Sequence, residues 1–200
     1  MPTAPASPGA PRTTSRNRIL DAAARVLRDQ GVAHATTKEI ARAAGCSEAL
    51  LYKHFRDKHE LHIAVLRERS GGVLNLGEAP GSGEVRDNLI DLFEGLLAFY
   101  VQSFPMSVSV FSSQSLLASW REQMTGRGAG PRAPLRLVEA YVQGEIDLGR
   151  IDRGTDALAV GSLLCGAAFQ HAVLACFDGL AEVPSGRALA ERCVDALGLD

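Results

Sequence analysis

The stretch Thr36–Lys58, TTKEIARAAGCSEALLYKHFRDK, decides the fold. Thr36-x-x-Glu39 is the pattern of a capping box, in which a hydroxyl and a carboxylate satisfy the free amides at a helix start. The helix it opens runs through Ala44. Gly45 supplies the left-handed conformation that a tight turn requires, and Ser47 caps a following helix that ends near His54. Two short helices around a small-residue turn make a helix-turn-helix, whose first helix braces while the second enters the major groove. Ile40, Ala41 and Ala44 brace, and Cys46, Leu51 and Phe55 close a small core. Ser47, Glu48, Ala49, Leu50 and Lys53 form the outward, base-reading set, with Tyr52, His54 and Lys58 placed to reach phosphates. Thr36, Thr37 and Lys38 stand at a helix N-terminus, where amides also favour phosphate.

The neighbouring segments are helical too. Arg16–Gln30 carries Ile19, Ala23, Val26 and Leu27 as a stripe and is closed by Gly31. Asp57-x-x-Glu60 opens a helix that runs to about Arg69. Residues 1–13 are rich in Pro, Ala and Ser and lack the apolar run of a signal peptide, so they read as a disordered basic arm. Arg12, Arg16 and Arg18 serve either as a solvated tail or as minor-groove contacts. Glycines between Gly71 and Gly83 mark a junction. Five further helices follow: Glu84–Phe104 stopped by Pro105, Ser107–Met124, Leu135–Leu148 after a Gly/Pro linker at Gly126–Pro134, Thr155–Phe177, and Pro184–Leu197. The fold class is all-α with about nine helices, divided into a DNA-binding unit over 14–70 and a second helical unit over 84–200.

Charge follows the same division. Residues 12–69 carry a net +5 and residues 70–200 a net -7, so polyanion binding is confined to the head. Cys46, Cys165, Cys176 and Cys193 show no zinc spacing and read as buried thiols of a reducing cytoplasm, so no metal or cofactor is expected. Cys46 at the turn leaves a redox role open. Ala157–Phe177 is uncharged and long enough to span a bilayer. Ser162, Gln170 and His171 interrupt it and no basic cluster flanks it, which favours a buried interface helix and no membrane. The competing class is an enzyme with an incidental basic head, and no nucleophile triad, phosphate loop or paired-carboxylate pattern supports it.

The residues Thr37, Ile40, Ala41, Ala44, Gly45 and Ser47, followed by Leu51, Tyr52, His54, Phe55, Lys58 and Leu61, resemble the TetR family of transcriptional regulators over about residues 14–70. The resemblance implies a homodimer on a palindromic double-stranded operator, acting as a repressor that a small-molecule effector releases. One pair departs from the family pattern. Ala49-Leu50 stands where Gly-Thr or Gly-Ala commonly precedes Leu-Tyr, so the reading surface is bulkier and more apolar. Leu50 suits a thymine methyl and Glu48 a cytosine amine.

In the family the C-terminal helices bind ligand and dimerise. Small residues along Thr155–Phe177 allow close approach of another helix, and Pro184–Leu197 pairs with it. The expected dimer residues are Leu163, Gly166, Ala167, Gln170, Leu174, Leu189, Cys193 and Leu197. The expected pocket for a largely apolar ligand is lined by Phe93, Leu96, Tyr100, Phe104, Phe111, Gln114, Trp120 and Tyr141, with plain core packing as the alternative for each. A DNA binder that takes no ligand, or one that senses a protein, remains the other regulatory reading.

Overall fold

The computed structural model describes residues 14–65, 68, 79–124 and 130–199. Among these residues there are nine helices and no strand: α1 (Ser15–His34), α2 (Thr37–Ala43), α3 (Glu48–His54), α4 (Lys58–Val65), α5 (Val85–Phe111), α6 (Gln114–Met124), α7 (Ala133–Asp147), α8 (Ala157–Phe177) and α9 (Gly186–Asp195). The expected arm over 1–13 and most of the glycine junction lie outside the described residues, as does the end of the helix expected to reach Arg69.

Three boundaries differ clearly from the sequence reading, one of them the start of α6 at Gln114 where Ser107 was expected. α1 continues through Gly31 to His34. An internal glycine costs only about 1 kcal/mol, and the extension brings Ala35 into the core immediately before the Thr36 cap. The larger correction is α5, which passes through Pro105 and ends at Phe111. Proline removes the amide that would bond the Val101 carbonyl. The Cys176 thiol of α8 lies 3.7 Å from that oxygen and donates to it instead. Val101 and Met106 are buried on either side, so tertiary packing carries the helix across the defect. The break falls at Ser112–Ser113, where the Ser113 hydroxyl accepts the Leu116 amide and α6 departs at 115° to α5.

Two principal cores result. The first gathers Ile19, Leu20 and Leu27 of α1, Ile40 of α2, Leu51 of α3, Phe55, and Leu61, Ile63 and Val65 of α4. It also takes in Met106 and Val110 from the end of α5, and Leu116 and Trp120 from α6. The second joins Leu89, Leu92, Phe93 and Leu96 of α5 to Val138 and Val142 of α7, Val160, Leu164 and Ala168 of α8, and Leu189 and Val194 of α9. α7 and α8 approach closely at Gly161, where a methyl group would lie 3.1 Å from Leu135 Cδ1. α9 is also tied to α5 by Arg86–Asp195 and Arg187–Glu94 ion pairs. These are exposed and screened by solvent, so apolar burial does most of the docking.

A polar cluster clamps the start of α5. Glu145 of α7 is fully buried, and its Oε1 accepts the Gly81 amide at 3.3 Å. Asn88 donates to the Ser82 carbonyl and to the Tyr141 hydroxyl, at 2.7 and 3.0 Å. Arg150 Nε lies 3.5 Å from the other Glu145 oxygen. Pro80 closes the loop against Gly144, where a Cβ would sit 2.8 Å from the proline ring.

Candidate nucleic-acid interface

Local hydrogen bonds explain why α2 and α3 form where they do. Thr36 Oγ1 accepts the Glu39 amide at 3.2 Å, and Glu39 Oε2 accepts the Thr36 amide at 3.1 Å, completing the capping box. The Thr36 hydroxyl also donates to Glu39 at 2.8 Å, and these bonds hold the carboxyl below its ordinary range. After α2, the Cys46 amide reaches back to the Ala41 carbonyl at 3.0 Å and the Gly45 amide to Arg42 at 3.1 Å. This double closure needs a left-handed residue, and Gly45 has φ 63°. Ser47 then caps α3 by accepting the Leu50 amide at 3.2 Å.

With both helices fixed, the faces of α3 separate. Leu51 turns inward with Phe55 behind it. Ser47, Glu48, Ala49 and Lys53 are exposed, and Leu50 and His54 are half-buried at the margins. Tyr52 projects with 47% of its surface exposed. Its hydroxyl lies 3.3 Å from Thr37 Oγ1, so the start of α2 and the middle of α3 present one hydroxyl pair. Thr36 and Lys38 are exposed beside it, and Lys58 opens α4 half-buried. The Asp57 carboxylate caps α4 by accepting the Glu60 amide at 2.8 Å, which holds its pKa below the ordinary range.

Arg16 has a definite place. Its guanidinium stacks over the Phe55 ring at 5.3 Å and grips both carboxylate oxygens of Glu68, at 2.6 and 2.8 Å. Glu68 accordingly raises its pKa. Arg16 is therefore a brace between α1 and the segment after α4, a role that sequence reasoning missed. No local pattern pointed to it, because Phe55 and Glu68 lie 39 and 52 positions away in sequence. Arg18 is exposed, and Arg12 lies outside the described residues.

The residues expected to wall one pocket do not come together. Phe93, Leu96 and Tyr141 pack in the second core, whereas Trp120 belongs to the first. Phe111 is mostly exposed and meets Trp120 edge-on at 5.9 Å, and Gln114 is exposed. Tyr100 and Phe104 form a third group around Phe169 of α8, with ring centroids 5.4 and 5.7 Å apart. Residues spaced along a bent α5–α6 pair point at different neighbours, which composition does not reveal. Phe169 was not foreseen, although an aromatic in an uncharged helix marks a candidate. Among the described residues, no group of three or more His, Cys, Asp or Glu side chains is arranged to hold a metal.

α8 is long and apolar enough to cross a membrane by length and composition. One side packs into the second core. The other exposes Leu158, Leu163, Phe169, Leu174 and Phe177, the last at 87%. Gly166 and Gln170 are exposed on this side, and Ala167 is half-buried. The other expected dimer residues, near the C-terminus, pack within their own chain. Leu189 is buried within its own chain, and Cys193 and Leu197 pack half-buried against the second core. Their four-residue spacing forms a real stripe, and α5 covers it.

The sequence pattern of bacterial regulatory proteins of the tetR family matches residues 19–65. The transcriptional regulator BetI of Rhizobium meliloti (strain 1021) is 46% identical over 56 residues, covering 28% of each chain. The aligned segment thus spans less than a third of that relative's length. The fold match is more extensive. The fatty acid degradation regulator FadR from Bacillus halodurans aligns with a TM-score of 0.70 at 18% identity, covering 94% of this chain and 96% of that one. FadR from Bacillus subtilis, solved in complex with stearoyl-CoA, aligns with a TM-score of 0.66 at 17% identity, covering 90% and 96%. Residues 19–65 thus match the tetR family of bacterial regulatory proteins in sequence, and 94% of the chain shares the fold of a solved regulator.

Proposed function

We propose that this chain is a cytoplasmic, sequence-specific DNA-binding transcriptional regulator, acting as a repressor on a palindromic operator. The observation that carries the reading is the capped α3, with Glu48, Ala49 and Lys53 exposed and Tyr52 paired with Thr37. Residues 14–70 bind DNA in this reading, and residues 84–200 dimerise and receive the effector. Two copies of α3 must lie about 34 Å apart to enter successive major grooves. The partner is a second copy of the chain, seated on the exposed apolar side of α8 around Leu163 and Leu174. Gly166, Ala167 and Gln170 line that contact. No catalytic role is assigned.

The effector in this reading is a small, largely apolar molecule. The aromatic group Tyr100, Phe104 and Phe169 between α5 and α8 supports it, as does the stearoyl-CoA in the similarly folded FadR of Bacillus subtilis. A second reading, a regulator that takes no small molecule or senses a protein, is favoured by one observation. Phe93, Leu96, Trp120 and Tyr141 are consumed in core packing. Selection from random duplexes followed by gel shift tests DNA binding, and challenge of the complex with acyl-CoAs and other apolar ligands tests release. No enriched sequence would sink the regulator reading. An enriched duplex that no ligand releases favours the second reading. Light scattering at micromolar concentration should give a dimer that Leu163→Glu converts to monomer.

A further inference from the structure

α5 belongs to both principal cores. Leu89, Leu92, Phe93 and Leu96 are fixed in the second core, and Met106 and Val110 in the first. The stretch between and beyond them, Ser103–Ser112, reads SFPMSVSVFS. Three features weaken its helical ladder. Pro105 provides no amide, and the Val101 carbonyl has a thiol 3.7 Å away, a weaker donor, in its place. The Ser107 hydroxyl donates to the Ser103 carbonyl at 2.9 Å, Ser109 to the Pro105 carbonyl at 3.2 Å, and Ser112 to the Ser109 carbonyl at 2.8 Å. Hydroxyls bonded back in this way compete with the helix ladder and bend it. Val108 and Val110 are β-branched and add little intrinsic helix preference. Upstream, Leu89–Leu97 has neither proline nor serine.

We propose that Ser103–Ser112 is a hinge built into α5, on which the first core and its α3 turn relative to the second. The start of α5 is held by the Asn88–Tyr141–Glu145 cluster, so the helix bends at Pro105 and does not slide along its axis. Phe104, at the near edge of the hinge, packs edge-on against Phe169 of α8 at 5.7 Å. A change on α8 at that point is transmitted into the bend. The consequence for DNA rests on the regulator reading, and the hinge itself does not.

The test is hydrogen exchange with mass spectrometry on the unliganded full chain. Amides of Met106–Phe111 should exchange about tenfold faster than those of Leu92–Leu97. In Pro105→Ala combined with Ser107→Ala and Ser109→Ala, that gap should close to within about threefold while Leu92–Leu97 stays unchanged. Equal protection along wild-type α5, or an unchanged gap in the folded variant, overturns the hinge. If the triple variant does not fold, Ser107→Ala with Ser109→Ala retains the proline and must still slow exchange. No DNA is present, so a chain that selects no duplex overturns the regulator reading and leaves the hinge standing. Uniform exchange with normal duplex selection does the reverse.

Discussion

His62 sits in α4 with 3% of its surface exposed, and neither ring nitrogen has a hydrogen-bond partner. Burial, together with the charges of Lys58 and His59, lowers its pKa from 6.5 to about 4. The folded state therefore holds this ring neutral, while the unfolded chain binds a proton below about pH 6.5. Stability is fully present above the unfolded pKa and is lost as the pH falls through the window from 6.5 to about 4. Each pH unit descended within that window costs about 1.4 kcal/mol, so the loss at pH 5 is about 2 kcal/mol and approaches 3 at the bottom. That is a large share of a typical folding free energy of about 5–15 kcal/mol.

The perturbation that isolates it is His62→Leu, which fills similar space without polar atoms. Urea unfolding at fixed protein concentration should be measured for both proteins from about pH 7.5 to pH 5. Carboxylates such as Asp57, whose pKa is lowered by the Glu60 amide, lose stability in the same direction in both. The difference between the two curves therefore reports His62 alone. At neutral pH the leucine variant should be more stable by about 1–2 kcal/mol, because two unpaired buried nitrogens are gone. On acidification that advantage should grow by about 2 kcal/mol. Parallel curves would refute the reasoning, since they would mean that His62 protonates in the folded protein as easily as in the unfolded one.

Three further outcomes follow from the geometry. Tyr52→Phe and Lys58→Ala should weaken binding to every duplex, and Lys58→Ala should also reduce the salt slope by about one per subunit in fluorescence anisotropy titrations; an unchanged slope removes Lys58 from the phosphate set. Glu145→Ala strips the acceptor from the Gly81 amide and from Arg150, and should cost about 2–4 kcal/mol in chemical denaturation, towards the low end because Arg150 reaches solvent. Gly45→Ala meets no neighbouring atom within 4 Å, so its cost is purely that of φ +63°, about 1–2 kcal/mol. Gly45→Asn should recover part of that melting-temperature loss, and equal losses would point to an unseen steric clash.

The helix-turn-helix unit was legible because its determinants are local. Thr36, Glu39, Gly45 and Ser47 each act on amides within four residues of themselves, so their spacing alone specifies the caps and the turn. The rest depended on contacts that spacing does not encode. Pro105 breaks a helix when nothing else holds it. Here Val101 and Met106 are buried on both sides and Cys176 from another helix takes the orphaned carbonyl. Leu189, Cys193 and Leu197 read correctly as an apolar stripe, but periodicity is blind to whether the covering surface is α5 of the same chain or a partner. Phe93 and Tyr141 were likewise recognisable as apolar wall and not as wall of a cavity. Arg16 needed Phe55 and Glu68 brought together by the fold before its role appeared.

In the proposed regulator, the way the body moves the head is constrained by the energies involved. An effector that changes DNA affinity five- to 150-fold has a coupling free energy of about 1–3 kcal/mol. Met106, Val110, Leu116 and Trp120 are all buried in the first core with α1–α4. Withdrawing side chains of this size from such a core costs about 1.5–3 kcal/mol each. Peeling α6 and the end of α5 away from the head would therefore consume several times the coupling available. The cheaper motion keeps those four side chains seated and carries α6 with α1–α4. The bend then falls in the backbone of the Ser103–Ser112 hinge, starting at the Val101–Pro105 bond that is already missing, and no apolar contact of the first core has to open.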